Sequence, residues 1–153
     1  MSVITFTQKI SRDLLKFDLN IDVSLANAIR RIIISEVETV GFHTEPYEES
    51  DVTIIENTSS LHNEFLSHRL GMCPVNIENP ATFDPNKYKF ILNVQNTGTK
   101  TINVTTKDIE IIDKDTNTSL DNSIFFKEND ITKNHILLIK LKSNPGGEGE
   151  KIN

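Results

Sequence analysis

VSLANAIRRIIISEV at residues 23–37 and NTSSLHNEFLSHRLGMCPVNI at residues 57–77 decide how this chain is read. In the first stretch, Leu25, Ala28, Ile29, Ile32 and Ile33 recur at i, i+3, i+4, i+7 and i+8, which places them on one face of a helix. Asp22 or Ser24 supplies its N-cap. Ala26 and Ile34 widen the apolar surface beyond a single stripe, and a helix apolar on more than one side is buried against more than its own sheet. In the second stretch, residues 61–70 are predicted to form a short helix capped by Ser59 or Ser60; Gly71 ends it and Pro74 prevents its continuation. Neither stretch has the layout of a catalytic site. Both read as surfaces made to be covered by other protein.

Outward from these stretches the chain is mostly strand. ITFT at 4–7 and KFDL at 16–19 alternate apolar and polar residues, with a polar turn through Ser11, Arg12 and Asp13 between them. Pro46 and the carboxylates of Glu45, Glu48, Glu49 and Asp51 mark an exposed loop. VTII at 52–55 is predicted as a strand, followed after the second helix by YKFILNV (88–94), TINVTT (101–106), IEII (109–112), SIFF (123–126) and HILLIKL (135–141). Turn-rich links at 96–98 and 115–117 separate them.

Composition narrows the function classes. The 153 residues suffice for one ordinary domain or two small lobes. A formal net charge of -6 argues against direct, specific nucleic-acid binding, because phosphate contacts demand a basic surface. One cysteine, Cys73, excludes an internal disulfide and a thiolate-rich metal site, and suits a reducing intracellular setting. No stretch approaches the length of a membrane helix, so no membrane partner is expected.

The residues that could carry chemistry argue against it. His62 and His68 are six apart, about 120° around a helix axis rather than the roughly 40° of an i, i+4 ligand pair. Cys73 follows His68 by five residues, but no third group orients that histidine, and a Cys between Met72 and Pro74 reads as a small buried apolar residue. No phosphate-binding or nucleophile-elbow motif is present, so no catalytic residue, metal or cofactor is expected. Arg30 and Arg31 sit in a strongly apolar helix, where a guanidinium fork suits a partner's carboxylates or carbonyls.

These two blocks resemble the signature segments of the alpha-like subunits of multisubunit DNA-directed RNA polymerases. The closer similarity is to the archaeal alpha-like subunit, the third-largest subunit of eukaryotic polymerase II and its polymerase I/III counterpart; the bacterial alpha N-terminal domain is more distant. Leu25, Asn27, Ala28, Ile29, Arg30, Arg31, Ile32, Ser35, Glu36, Val37 and Thr39 match the first pattern, with Glu38 where the family usually has proline. Asn57, Thr58, Ser59, Leu61, Asn63, Glu64, Phe65, Leu66, His68, Arg69, Leu70, Gly71, Pro74 and Val75 match the second.

The resemblance implies an α+β, two-lobed, non-catalytic assembly subunit. Residues 1–45 would begin a dimerisation lobe, 46–133 would form a mostly β insert lobe, and 134–153 would start the return to the first lobe, with the chain stopping early. Leu25, Ala28, Ile29, Ile32 and Ile33 would build the dimerisation core and meet a smaller alpha-like subunit, or a fused equivalent. Arg30, Arg31, Glu64, His68, Arg69, Leu70 and Gly71 would dock the second-largest subunit. Relatives often carry a Cys-rich metal site in the insert lobe; with Cys73 alone, this chain is not expected to hold one. A viral polymerase would suit the Asn-, Ile- and Lys-rich composition. The competing reading is a stand-alone β-rich protein-binding module unrelated to transcription, with the 23–37 helix as ordinary core.

Overall fold

The computed structural model describes residues 4–9 and 15–153. The chain divides into two compact units, Met1–Glu38 and Thr39–Asn153. The division falls a few residues before the lobe boundary expected after residue 45.

The first unit is a β hairpin followed by a helix. β1 (Ile4–Lys9) pairs antiparallel with β2 (Leu15–Leu19), Thr7 facing Phe17 and Lys9 facing Leu15. The polar turn expected at 11–13 lies outside the described residues. α1 (Val23–Ser35) begins where Asp22 turns the chain; its carboxylate accepts the Ser24 amide at 2.8 Å, which settles the cap in favour of Asp22 over Ser24. The helix closes with the Glu36 amide donating to the Ile32 carbonyl at 2.8 Å.

The second unit is short strands around one helix. α2 (Asn63–Gly71) precedes β3 (Tyr88–Leu92), β4 (Val94–Gln95), β5 (Ile102–Thr105), β6 (Ile109–Asp113), β7 (Thr118–Leu120), β8 (Leu137–Leu141) and β9 (Lys151–Ile152). Among the described residues, β3, β6 and β7 form one antiparallel sheet in that order, while β4 pairs with β9 and β5 with β8. The α+β class expected from the sequence is the one observed.

Two linked cores hold this unit. One gathers Cys73, Val75, Ile109, Ile111, Phe125, Phe126 and Leu138; the other gathers Leu66, Val104, Ile139, Leu141 and Ile152, and both Leu70 and Leu92 pack against each. Aromatic rings dominate the first core. Phe90 meets Phe42, Phe125 and Phe126 edge-on at centroid distances of 5.2, 5.8 and 6.1 Å, geometry that adds to the stabilisation from burial alone.

Residues 134–153, expected to start a return to the first lobe, are built into the second unit. Leu138 is buried in one core and Ile139 and Leu141 in the other, so both faces of β8 are used there. β9 belongs to the same unit, through its pairing with β4 and a bridge between Ile152 and Asn57.

Three local readings change. VTII at 52–55 joins no sheet: the Val52 amide donates to the Ser50 hydroxyl and the Ile55 amide to the Asn153 carbonyl. SIFF at 123–126 is not a strand. Asp121 accepts the Ser123 amide at 3.0 Å and starts a 3-10 turn over Asn122–Ile124, which delivers the consecutive rings of Phe125 and Phe126 to one core. A pleated strand would send them to opposite faces. β7 is an additional strand. It forms a hairpin with β6 because the Asp113 carboxylate accepts the Asp115 and Thr116 amides and Asn117 takes a left-handed φ of 51°.

Candidate functional site

Burial differs sharply between the two signature helices. α1 contains no buried residue. Leu25, Ile32, Ile33 and Ile34 are 53%, 56%, 51% and 71% exposed, and Ala26 and Ile29 are only half-buried. Ala28, also assigned to the apolar face, is exposed. Each large aliphatic side chain left in water forgoes roughly 1.5–3 kcal/mol of transfer free energy. Several such residues on one short helix make a surface that gains from being covered.

The arginines of α1 differ from one another. Arg30 donates through Nε (3.1 Å) and Nη2 (2.9 Å) to the Asn27 side-chain oxygen one turn back, so part of its fork is held by its own helix. Arg31 is exposed, and its backbone carbonyl accepts the Ser35 hydroxyl at 2.9 Å.

The second block begins with a loop knitted by Asn57. Its side-chain amide donates to the Leu61 carbonyl and the Asn63 side chain at 2.8 Å, and its oxygen accepts the Ser59 amide at 3.0 Å. Ser59 is thereby engaged before the helix starts. His62 is the N-cap instead, its Nδ1 accepting the Glu64 amide at 3.4 Å, and the expected Ser59 or Ser60 cap is not used.

Within α2 the expected docking residues separate into two groups. Leu70 is wedged between both cores. Gly71 packs so closely on residues 42–44 that an added Cβ would lie 2.8 Å from the Thr44 hydroxyl and 3.3 Å from the Phe42 carbonyl. Arg69 is tied to β8, its Nη1 donating to the Leu138 carbonyl at 2.8 Å. Leu70 and Gly71 serve the fold of the second unit, and Arg69 is anchored to it while remaining exposed. Glu64 and His68 are exposed, and with them Phe65 and Met72, at 64% and 71%. Phe65, His68 and Met72 recur at i, i+3 and i+7 and share one stripe, which by its spacing alone would be taken for a core face and which the structure leaves exposed.

Cys73 is 2% exposed and its thiol donates to the Arg69 carbonyl at 3.3 Å; burial pushes its pKa up, against a smaller lowering by the Arg69 charge. A thiol held neutral in a core is inert. Among the described residues, no group of three or more His, Cys, Asp or Glu side chains is placed to hold a metal ion. Nor is any helix of those residues long and apolar enough to cross a membrane.

The RNA polymerase Rpb3/Rpb11 dimerisation domain family matches residues 17–114, a span that takes in α1, α2 and the strands as far as β6. The chain belongs to this family. Its matched domain is of the kind found in alpha-like RNA polymerase subunits, as the two signature blocks implied. Among curated relatives, a conjugation stage-specific protein of Tetrahymena thermophila is 47% identical over 57 residues, 37% of this chain and 16% of its own. A subunit of DNA-directed RNA polymerases I and III of Dictyostelium discoideum is 43% identical over 74 residues, 48% of this chain and 18% of its own. The DNA-directed RNA polymerase component Rpo3 of Methanocaldococcus jannaschii is 48% identical over 59 residues, 39% of this chain and 27% of its own. The chain thus spans between 16% and 27% of the length of these relatives.

Proposed function

We propose that this chain is a non-catalytic assembly subunit of a DNA-dependent RNA polymerase. In this reading it heterodimerises through α1 with a smaller alpha-like subunit, or a fused equivalent, and docks the second-largest subunit. The observation that carries the reading is the uncovered apolar surface of α1 in a chain of the dimerisation-domain family. An obligate subunit interface is large and apolar, and a short helix exposing Leu25, Ile32 and Ile33 supplies such a surface only when a partner covers it. Residues 1–45 are then the first part of the dimerisation lobe and residues 46–133 the insert lobe. Docking of the second-largest subunit falls to Arg30, Arg31, Glu64 and His68, joined by Phe65 and Met72. Arg69, exposed and anchored to β8, belongs to the α2 part of that surface, and Leu70 and Gly71 support it.

Co-expression with the smaller alpha-like subunit of the same polymerase, read by light scattering, tests this. The expected result is self-association of the chain alone and a monodisperse heterodimer with the partner. A stable monomer that ignores the partner would overturn the reading.

A further inference from the structure

β9 has a neighbour on each side. Ile152 pairs with Val94 of β4 and also bridges to Asn57, at the start of the second signature block. Residues 55–58 lie outside any strand, yet a run of bonds ties them to residues 151–153. The Ile55 and Glu56 amides donate to the Asn153 carbonyl at 2.8 and 3.0 Å, and the Thr58 amide donates to the Lys151 carbonyl at 3.0 Å. In return, the Asn153 amide donates to the Glu56 carbonyl and the Lys151 amide to the Thr58 hydroxyl, each at 2.8 Å. The Lys151 ammonium closes on the Glu56 carboxylate at 2.8 Å. Inward, Ile152 shares a core with Leu66, the buried residue of α2.

Asn57 faces both ways. Its backbone bridges to β9, while its side chain donates to the Leu61 carbonyl and the Asn63 side-chain oxygen and accepts from the Ser59 amide and hydroxyl. These four bonds span the approach to α2, so the place of β9 is carried to the N-terminal end of the helix. β9 is located in turn by a close approach to residue 96. The Asn96 amide donates to the Glu150 carbonyl at 2.9 Å, and Gly149 crosses the Asn96 carbonyl so tightly that an added Cβ would overlap it. A nine-residue helix is marginal in isolation, so its placement comes from such tertiary ties.

We infer that β9 sets the docking surface of α2, and that Asn57 is the positioning residue through which it does so. The inference rests on the docking role proposed above for Glu64, Phe65, His68 and Met72. Those side chains meet the partner; Asn57 and Gly149 hold the helix that presents them. A helix loosened at its N-terminal end must be ordered again at the moment of binding, and that entropy is subtracted from the affinity. All of these residues lie within the second unit, so the coupling does not depend on how α1 is covered.

The test uses the full chain paired with the smaller alpha-like subunit. Affinity for the second-largest subunit is read by interferometry and backbone order by amide hydrogen exchange. Asn57→Ala removes all four side-chain bonds and should weaken binding about tenfold; Asn57→Asp keeps the two bonds accepted from Ser59 and should lose about threefold. Gly149→Ala, which alters no docking residue, should match Asn57→Ala. Lys151→Glu takes its place if that variant does not fold, and Glu56→Lys in the same chain should restore binding. In each weakened variant exchange should quicken over residues 55–66 and stay unchanged in β3, β6 and β7. Undiminished binding by Asn57→Ala would overturn the inference, and so would exchange quickened equally across the β3–β6–β7 sheet, the mark of a residue that only stabilises the unit. Failure of the unaltered pair to bind would instead overturn the docking reading, and this inference with it.

Discussion

The two units spend their apolar residues in opposite ways. In Thr39–Asn153 a set of leucines, isoleucines and phenylalanines turns inward, with Leu66, Ile111 and Leu138 at most 1% exposed, although Ile55, Phe65 and Ile131 stay in solvent. In the unit that carries α1, residues of the same chemistry are half or more exposed, including Leu15, Leu25, Ile32 and Ile33. Composition does not separate the two. What separates them is whether the local elements can enclose a core. A two-stranded hairpin and a thirteen-residue helix supply too few layers to bury an apolar surface on more than one side, whereas the small sheets of the second unit and α2 cover one another. An apolar surface that its own unit leaves uncovered is available for assembly.

Four substitutions or conditions sharpen or break this contrast. The largest effect is expected from Ile33→Asp. A carboxylate placed in a covered apolar interface should abolish co-purification with the smaller subunit, while the calorimetric transition of the second unit stays put because Ile33 is 51% exposed in the chain itself. Retained pairing would remove α1 from the interface. Leu66→Ala should do the reverse. It opens a cavity beside Val104, Ile139 and Leu141, and should lower the stability of the second unit by about 3 kcal/mol in chemical denaturation without weakening pairing per folded molecule.

Gly71→Ala should cost less, about 1 kcal/mol, because the gain in helix propensity partly offsets the crowding against Thr44 and the Phe42 carbonyl. Thr44→Ala in the same chain should recover part of that loss. A stabilised Gly71→Ala protein would show that the α2 terminus has room, and would return Gly71 to the docking surface.

The smallest effect is a pH dependence of α1. The Ser24 hydroxyl and amide hold the Asp22 carboxyl below the usual carboxylate range. A carboxylate with a depressed folded-state pKa stabilises the fold above its unfolded value, near about 3.9, and that contribution is lost as pH falls through the folded value. Helical circular dichroism should therefore decline in the acid range below that value, and Asp22→Asn should flatten the local response. An unchanged acid limb in Asp22→Asn would assign the decline to other carboxylates.

The mistakes of sequence reading have a common cause. The helical period of 23–37 and the strand signals of 88–92 and 109–113 survive into the structure as a helix and two strands, because local pattern dictates element type. VTII and SIFF carry the same strand signal, yet neither joins a ladder. A ladder needs a partner strand at the right distance, and at 123–126 the side chains of Asp121 and Asn122 turn the chain first, Asn122 donating to the Thr106 and Ile109 carbonyls at 2.9 and 2.6 Å. The cap of α2 was missed for a similar reason: Ser59 looked free in the sequence, but Asn57 had already claimed it.

By itself the sequence determined the family, the α+β class, the helix of α1 and the structural character of Cys73, because these rest on local period, composition and motif order. Only the tertiary structure decided that Leu70 and Gly71 face inward and that residues 137–152 complete the second unit. Each of those depends on which backbone lies alongside which, a relation between residues distant in the chain that no local pattern contains.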